Sequence, residues 1–292
     1  MKLHEFLALF GETQNAIREL MSRGLLPVHM RCECGQIMHE INWDCSDGSI
    51  FRCQKKACGK KRSIRHGSFF AKSKLPIVQQ VLLMHLFAKR YPEQLILDEY
   101  EFSSATLVDW FRYFREVCVF KLEEMDDEII GRDGVIVEID ESVIVKRKYD
   151  RGRVLRTQWM FGAVERRGSG FGRCFVVLVE NRSEETLLDI ICRKIHPGSR
   201  IISDGWRAYR KLTELGFSHD VIIHEREFVS EQDPSIHTQS IESLWSALKR
   251  FLRQHGTNRS AHNWEYICEF IYRRLEADCF EAIMRDLKVM YA

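Results

Sequence analysis

Three acids and two pairs of cysteines are the residues of this 292-residue chain whose types and spacing could do chemistry. Asp140 closes the alternating stretch GVIVEID (134–140) and Asp204 closes RIISD (200–204). Glu242 stands one position after Ile241, which opens the apolar stripe Ile241, Leu244, Trp245, Leu248, Phe251 and Leu252. That three- and four-residue spacing predicts an amphipathic helix. At about 100° per residue, Glu242 lies at the edge of the stripe, roughly 60° from Trp245, where a helix leaves its core and meets a cleft or solvent. A lone glutamate in a first helical turn is ordinary, favoured by the helix dipole; the company of the two aspartates gives this one meaning. Carboxylates at strand ends gather where open α/β sheets put their sites. Three hard oxygen ligands without a phosphate-cradling glycine loop suit two Mg²⁺ or Mn²⁺ ions. Two such ions, about 4 Å apart, polarise a phosphodiester, activate a water or a 3′-hydroxyl and stabilise the leaving oxygen of an in-line displacement.

The cysteines point to a different metal. Cys32 and Cys34 (RCECG) and Cys53 and Cys58 (CQKKACGK) flank a stretch of short, turn-rich pieces with hairpin character. Two cysteine pairs around a hairpin are the sequence form of a zinc ribbon, in which four thiolates holding a structural Zn²⁺ replace a missing core. The C-x-C and C-x4-C spacings depart from the usual C-x2-C, so Cys45 or His39 stays open as a substitute ligand. Around these cysteines, residues 51–75 carry nine Lys or Arg and no acid, although the whole chain has a net charge of only +2. Such a block favours a polyanionic partner, with Lys55, Lys56, Lys60, Lys61, Arg62 and Arg65 as its contacts.

The remaining pattern supplies the elements that must position these groups. Residues 2–23 read as one amphipathic helix, 75–91 and 93–100 as two helices broken at Pro92, and a third, capped by Ser103 or Ser104, runs to about 124. A short helix, a tight turn and a helix are helix-turn-helix geometry, with 104–117 as the candidate recognition helix. Trp110, Phe111 and Phe114 on it read as core. The acidic stretch KLEEMDDEIIGRDG (121–134) is the expected domain boundary. Beyond it, strands are expected at 134–140, 157–164 and 174–181, then a helix at 184–195, a strand at 200–204, a helix at 206–215, a strand at 221–224 and the Glu242 helix. Three hairpin-linked strands followed by alternating helices argue for an α/β fold with a mixed sheet and helices on both faces. Glu141 points away from Asp140 if its strand continues. No run of 18 apolar residues exists, so no transmembrane helix is expected; the start, MKLHEFLALFGETQ, is interrupted by Glu5 and Glu12 and does not read as a secretory signal. Ten cysteines without export suggest a reducing, intracellular compartment.

A basic zinc module, a helix-turn-helix and metal-dependent phosphoryl transfer describe one kind of job, acting on DNA. At this point the blocks KKRSIRHGSFF (60–70), IDES (139–142) with KRKYDRGR (146–153), SDGWRAY (203–209), HEREFV (224–229), IHTQSIESLW (236–245) and EYICEFIYRR (265–274) resemble Merlin-type DDE transposases and related bacterial insertion-sequence transposases. The resemblance implies an RNase H-like catalytic domain over 134–275, preceded by an N-terminal helix (1–30), a zinc ribbon (31–74) and a helix-turn-helix region (75–125), and followed by a C-terminal helix (276–292). It implies two Asp-bearing strands lying side by side, and catalytic metal-binding acids at Asp140, Asp204 and Glu242. It further implies terminal inverted repeats and target DNA as partners, a homo-oligomer on DNA, and residence in the nucleus of a eukaryote or the cytoplasm and nucleoid of a bacterium. Lys146, Arg147, Lys148 and His237 fall in its blocks as DNA contacts; His237, like His224, reads equally as a structural hydrogen-bonding residue. A rival reading is a host-retained, catalytically silent DNA-binding protein. An RNase H-like nuclease acting on RNA is disfavoured by the helix-turn-helix.

Overall fold

The computed structural model describes residues 1–144, 158–167, 172–222, 236–256 and 262–291. The chain forms two compact units, one of Met1–Phe120 with Glu276–Ala292, the other of Lys121–Leu275. Among the described residues no helix is long and apolar enough to cross a membrane.

The first unit starts with α1 (Leu3–Phe10) and α2 (Thr13–Ser22). The single helix expected at 2–23 is therefore two, because Glu12 is extended (φ −119°, ψ 143°) and the chain restarts from it. A four-stranded antiparallel sheet follows, β1 (Met30–Arg31), β2 (Ile37–Asn42), β3 (Ser49–Cys53) and β4 (Lys61–Ser63), in that spatial order. Its register pairs Met38 with Cys53 and Ile50 with Ser63. Then come α3 (Ile77–Ala88), α4 (Glu93–Glu99) and α5 (Ser104–Glu124). Between α3 and α4 the chain turns through Arg90 (φ 59°) before Pro92, whose missing N–H and fixed φ suit a new helix start. The Ser103 hydroxyl accepts from Thr106 N–H at 3.1 Å and so caps α5. Trp110, Phe111 and Phe114 are buried, whereas Val108 and Tyr113 are exposed on α5. The last helix, α9 (Cys279–Met290), returns to this unit: Phe280 packs edge-on against Phe6 and Phe10, and His85 stacks on Phe6 at 4.5 Å.

The second unit is built on β5 (Ile136–Val143), β6 (Trp159–Glu165), β7 (Cys174–Val179), α6 (Glu184–Lys194), β8 (Arg200–Asp204), β9 (Ser218–Ile222), α7 (Gln239–Gln254) and α8 (Asn263–Leu275). Its sheet has the order β7-β6-β5-β8-β9, antiparallel across β7-β6-β5 and parallel across β5-β8-β9. Helices cover both faces. Val137, Ile139, Phe161, Ala163 and Ile201 pack with Leu187, Ile190 and Ile191 of α6, while Met160, Val164 and Val176 pack with α7 and α8 through Leu244, Trp245, Leu248 and Ile267. The alternation of β5 sends odd residues to the α6 face and even residues to the α7 face.

Three expectations change in this unit. β5 continues to Val143, so Asp140 lies within a strand and does not end one. The helix expected at 206–215 is a 3₁₀ turn, Arg207–Tyr209, followed by further turns. Trp206, Tyr209 and Leu212 recur every third residue, the period of 3₁₀ winding, and burial of Tyr209 and Leu212 favours it over an α-helix. The strand expected at 221–224 starts earlier, at Ser218, and is described to Ile222.

Candidate catalytic and metal sites

β5 and β8 are neighbours, with Ile136 beside Arg200, Val137 beside Ile201 and Glu138 beside Ile202. Continuing that parallel register brings Asp140 level with Asp204. Asp140 faces α7, where the buried Trp245 donates its indole N–H to the Asp140 carboxylate at 2.9 Å. That indole can sit there because Gly162 is the residue paired with Asp140 across the sheet: a Cβ at 162 would lie 2.7 Å from a ring carbon of Trp245. Burial, and then the negative charge of Asp204, pushes the Asp140 carboxyl up to about 6; Glu242 adds to the rise, and Trp245 and the Glu141 main chain oppose it.

Each acid is held by its neighbours. One Asp204 carboxylate oxygen accepts the Trp206 N–H at 3.0 Å, and the neighbouring Ser203 hydroxyl meets His219 Nε2 at 2.8 Å. Glu242 is in the first turn of α7 and accepts from the Thr238 hydroxyl at 2.8 Å. Thr238 occupies the N-cap position of α7 but spends its hydroxyl in this way, and so the first N–H groups of the helix are satisfied from elsewhere. The carboxylate of Glu138, fully buried on β5, accepts Ser240 N–H at 2.7 Å, Ile241 N–H at 3.0 Å and the Ser240 hydroxyl at 2.8 Å. Arg166 at the end of β6 donates to the same carboxylate at 2.7 and 2.9 Å. Glu138 is the anion at the positive end of α7, and it fixes how far that helix extends over β5 and hence where Glu242 sits. Sequence spacing gave it no distinction; its only signal is a carboxylate on the helix-covered face of an apolar strand.

His237 is tied into the same knot: Arg166 lies 3.1 Å from its Nδ1 and donates to its carbonyl at 2.8 Å. Burial and the Arg166 charge lower its pKa, so the neutral ring prevails near neutrality. On the opposite face of β5, Glu141 is buried beside Arg182, whose Nη1 lies 3.6 Å from its Oε2. Burial, with Asp140 and Asp204 adding, lifts the Glu141 carboxyl to about 8, against the pull of Arg182. Lys146, Arg147, Lys148 and His224 lie outside the described residues.

In the first unit, the sulfurs of Cys32, Cys34, Cys53 and Cys58 lie within 4.8 Å of one another. Cys32 and Cys34 sit in the turn from β1 to β2, Cys53 ends β3, and Cys58 lies in the turn to β4. Both turns close on glycines at positive φ, Gly35 (86°) and Gly59 (53°), a conformation for which glycine has no steric cost. Cys32 and Cys58 sulfurs are 3.6 Å apart, and those of Cys34 and Cys53 3.5 Å. The Cys34 thiol is lowered to about 7, first by the main chain at Gln36; its neighbour Cys53 is raised to about 12 although the Lys55 main chain pulls the other way. Four converging thiolates fit a tetrahedral Zn²⁺. Cys45 lies apart from the cluster, bonded to Ser49 O at 3.7 Å, and neither it nor His39 belongs to the group.

The basic block divides in three. Lys55 and Lys56 are exposed. Lys60 and Arg62 both pair with Glu33, between the two cysteines of the first turn, and Lys61 lies over the Trp43 ring at 3.4 Å. Arg65 corrects the expectation of a DNA contact: it is buried, pairs through two nitrogens with Asp47 and donates to Leu75 O at 2.8 Å. A buried guanidinium needs such partners to offset its desolvation, and they consume the donors that a phosphate would use.

Residues 123–274, just over half of the chain, match the family model of the ISXO2-like transposase domain. A protein of Haemophilus influenzae described as an uncharacterized transposase-like protein is 28% identical over 117 residues, which are 39% of this chain and 93% of that protein.

Proposed function

The chain belongs to the ISXO2-like transposase domain family, and from that premise we propose that it binds the terminal inverted repeats of its element and cleaves and joins DNA strands with Asp140, Asp204 and Glu242. The observation that carries this reading is geometric: β5, which bears Asp140, lies beside β8, which ends in Asp204, and α7, which bears Glu242, is bonded to Asp140 through Trp245. Negative charge gathered in that way calls for a cation, and three carboxylates are a hard-oxygen donor set suited to Mg²⁺ or Mn²⁺. When bound, two such ions would supply polarisation of the phosphodiester and activation of a water or 3′-hydroxyl.

The protein's own contribution is orientation. Trp245 fixes one Asp140 oxygen, the Trp206 N–H fixes Asp204, and Thr238 fixes Glu242. The order of the sheet, three antiparallel strands and then two parallel ones, supports an RNase H-like catalytic domain, and the IDES, SDGWRAY and IHTQSIESLW blocks support the Merlin-type likeness. The four-cysteine cluster supports a structural Zn²⁺ that folds the ribbon, and the exposed Lys55, Lys56 and Lys61 support DNA contact there. The helices α3 to α5 would add the helix-turn-helix, and two copies would bridge the two element ends.

The test uses duplexes taken from the DNA flanking the gene, incubated with full-length protein and Mg²⁺ or Mn²⁺. Wild type should cleave them only with metal, and Glu242→Gln should bind equally but cleave several orders of magnitude more slowly, as expected when a two-metal site loses a ligand charge. Equal cleavage by both proteins would remove Glu242 from the site. Metal-independent binding by wild type with no cleavage would support the catalytically silent DNA-binding protein instead.

A further inference from the structure

Arg182 stands between β7 and the start of α6, on the α6 side of the sheet. Its guanidinium carbon is 3.9 Å from the ring centroid of Trp159 and 4.4 Å from that of Trp206, so two indoles lie against it. Trp206 is itself fixed twice, by its indole N–H to Arg182 O at 3.4 Å and by its main-chain N–H to the Asp204 carboxylate. The carboxylate facing Arg182 is Glu141, whose side chain is 3% exposed and whose Oε1 has no hydrogen-bond partner. Glu141 Oε2 lies 3.6 Å from Arg182 Nη1, too far to use up an N–H donor. The side chain of Arg182 remains 32% exposed, and among the described residues its Nε and Nη2 donate to nothing.

We propose that Arg182 binds a backbone phosphate of the DNA strand on which the three carboxylates act, with Glu141, Trp159 and Trp206 as its positioning residues. The inference rests on the transposase reading above. Three carboxylates repel a polyanion, and a cation linked to Asp204 through Trp206 offsets part of that repulsion for a strand reaching the end of β8. A guanidinium presents a planar fork that matches phosphate oxygens, which the point charge of lysine does not. Contact with two indoles adds cation–π attraction and removes the rotamer freedom that a surface arginine loses on binding.

The experiment measures cleavage of the gene-flanking duplex in Mn²⁺ by full-length wild type, Arg182→Gln and Arg182→Lys. A parallel set of duplexes each carries one neutral methylphosphonate, moved stepwise through the cleaved region. Arg182→Gln should raise KM about tenfold with a much smaller change in kcat, because the contact exists in ground and transition states alike; Arg182→Lys should recover part of the loss. One methylphosphonate position should weaken wild type by a similar factor yet leave Arg182→Gln unchanged, since that protein has already lost the contact. Wild-type KM in Arg182→Gln, or equal methylphosphonate penalties in both proteins, overturns the inference and leaves the transposase reading intact. If wild type binds without cleaving, the same scan read as affinity decides in the same way. A wild type that neither binds nor cleaves overturns both.

Discussion

The indole N–H of Trp245 donates to the Asp140 carboxylate at 2.9 Å, over the gap left by Gly162 on the adjoining strand. Packing and chemistry therefore meet in one side chain, which the apolar stripe alone marks only as core. Trp245→Phe fills most of the same space but removes the donor. It should cost about 1.5–3 kcal/mol, the range for a hydrogen bond to a charged group, and slow cleavage by roughly tenfold. Gly162→Ala should do comparable damage from the other side, because the new methyl must displace the indole; overpacking of this kind costs about 1–3 kcal/mol. Chemical denaturation of both variants, with cleavage measured alongside, checks the pair. Full activity in Trp245→Phe would show that Asp140 does not depend on the bond.

Glu138 joins β5 to the first N–H groups of α7, more than a hundred residues along the chain. Glu138→Gln keeps the shape but removes the charge that Arg166 meets there and turns an acceptor-only group into one with competing donors. A loss of about 3 kcal/mol is expected, within the range for breaking a buried ion pair, with cleavage reduced because Glu242 rides on the same helix. A thermal midpoint equal to wild type would show that α7 is placed by its apolar stripe alone.

Without divalent metal, the second unit should lose stability as pH rises. Asp140 and Glu141 are acids with raised carboxyls, at about 6 and about 8. A raised acid stabilises the fold while protonated: the contribution is complete below its unfolded pKa of about 4 and is lost as pH climbs through the folded value. The groups facing them are Asp204 and Glu242, which oppose ionisation, and Arg182, which favours it. The difference in melting temperature between wild type and Asp140→Asn should therefore change mainly between about pH 4 and 6, and that for Glu141→Gln up to about pH 8. Mg²⁺ should raise the wild-type midpoint most at the upper end. Differences that stay flat with pH would show that these carboxyls titrate normally.

Freshly purified protein should hold about one zinc, bound by Cys32, Cys34, Cys53 and Cys58. Cys53→Ser should lose the metal and unfold the ribbon while the second unit keeps its melting transition; Cys45→Ser should keep the metal. Zinc retained by Cys53→Ser at wild-type stoichiometry would assign the cluster to ordinary thiols.

Replacing Lys60, Lys61 and Arg62 together by Ala should weaken DNA binding and flatten the slope of log affinity against log salt, as fewer counterions are released. Arg65→Ala should differ in kind: it strands Asp47 in the interior and destabilises the first unit without changing that slope. An unchanged slope in the triple variant would leave Lys60 and Arg62 as partners of Glu33 only.

The strands of the second unit, the Glu242 helix and the two Cys-Gly steps could be read from the chain because each has a local period or spacing that reports which side faces inward. Asp140, Asp204 and Glu242 stand out in the sequence by where those elements are expected to begin and end, although β5 runs on to Val143. The partners of polar groups had no such local record. Arg65 stands in a run of basic residues that reads as surface, yet it is buried because Asp47 lies next to it in space. Glu138 looks like any acid in a strand until α7 lays its N-terminus on it, and Trp245 looks like core until Gly162 lets it reach Asp140. The stretch after Asp204 has helical composition, but a three-residue burial spacing and the pull of the sheet wind it tighter. Periodicity encodes the face of an element, a property of neighbours in sequence. Hydrogen-bond partners, burial of a charge and the lift of a carboxyl depend on which strand lies beside which, and that is settled only when the sheet closes and its helices pack.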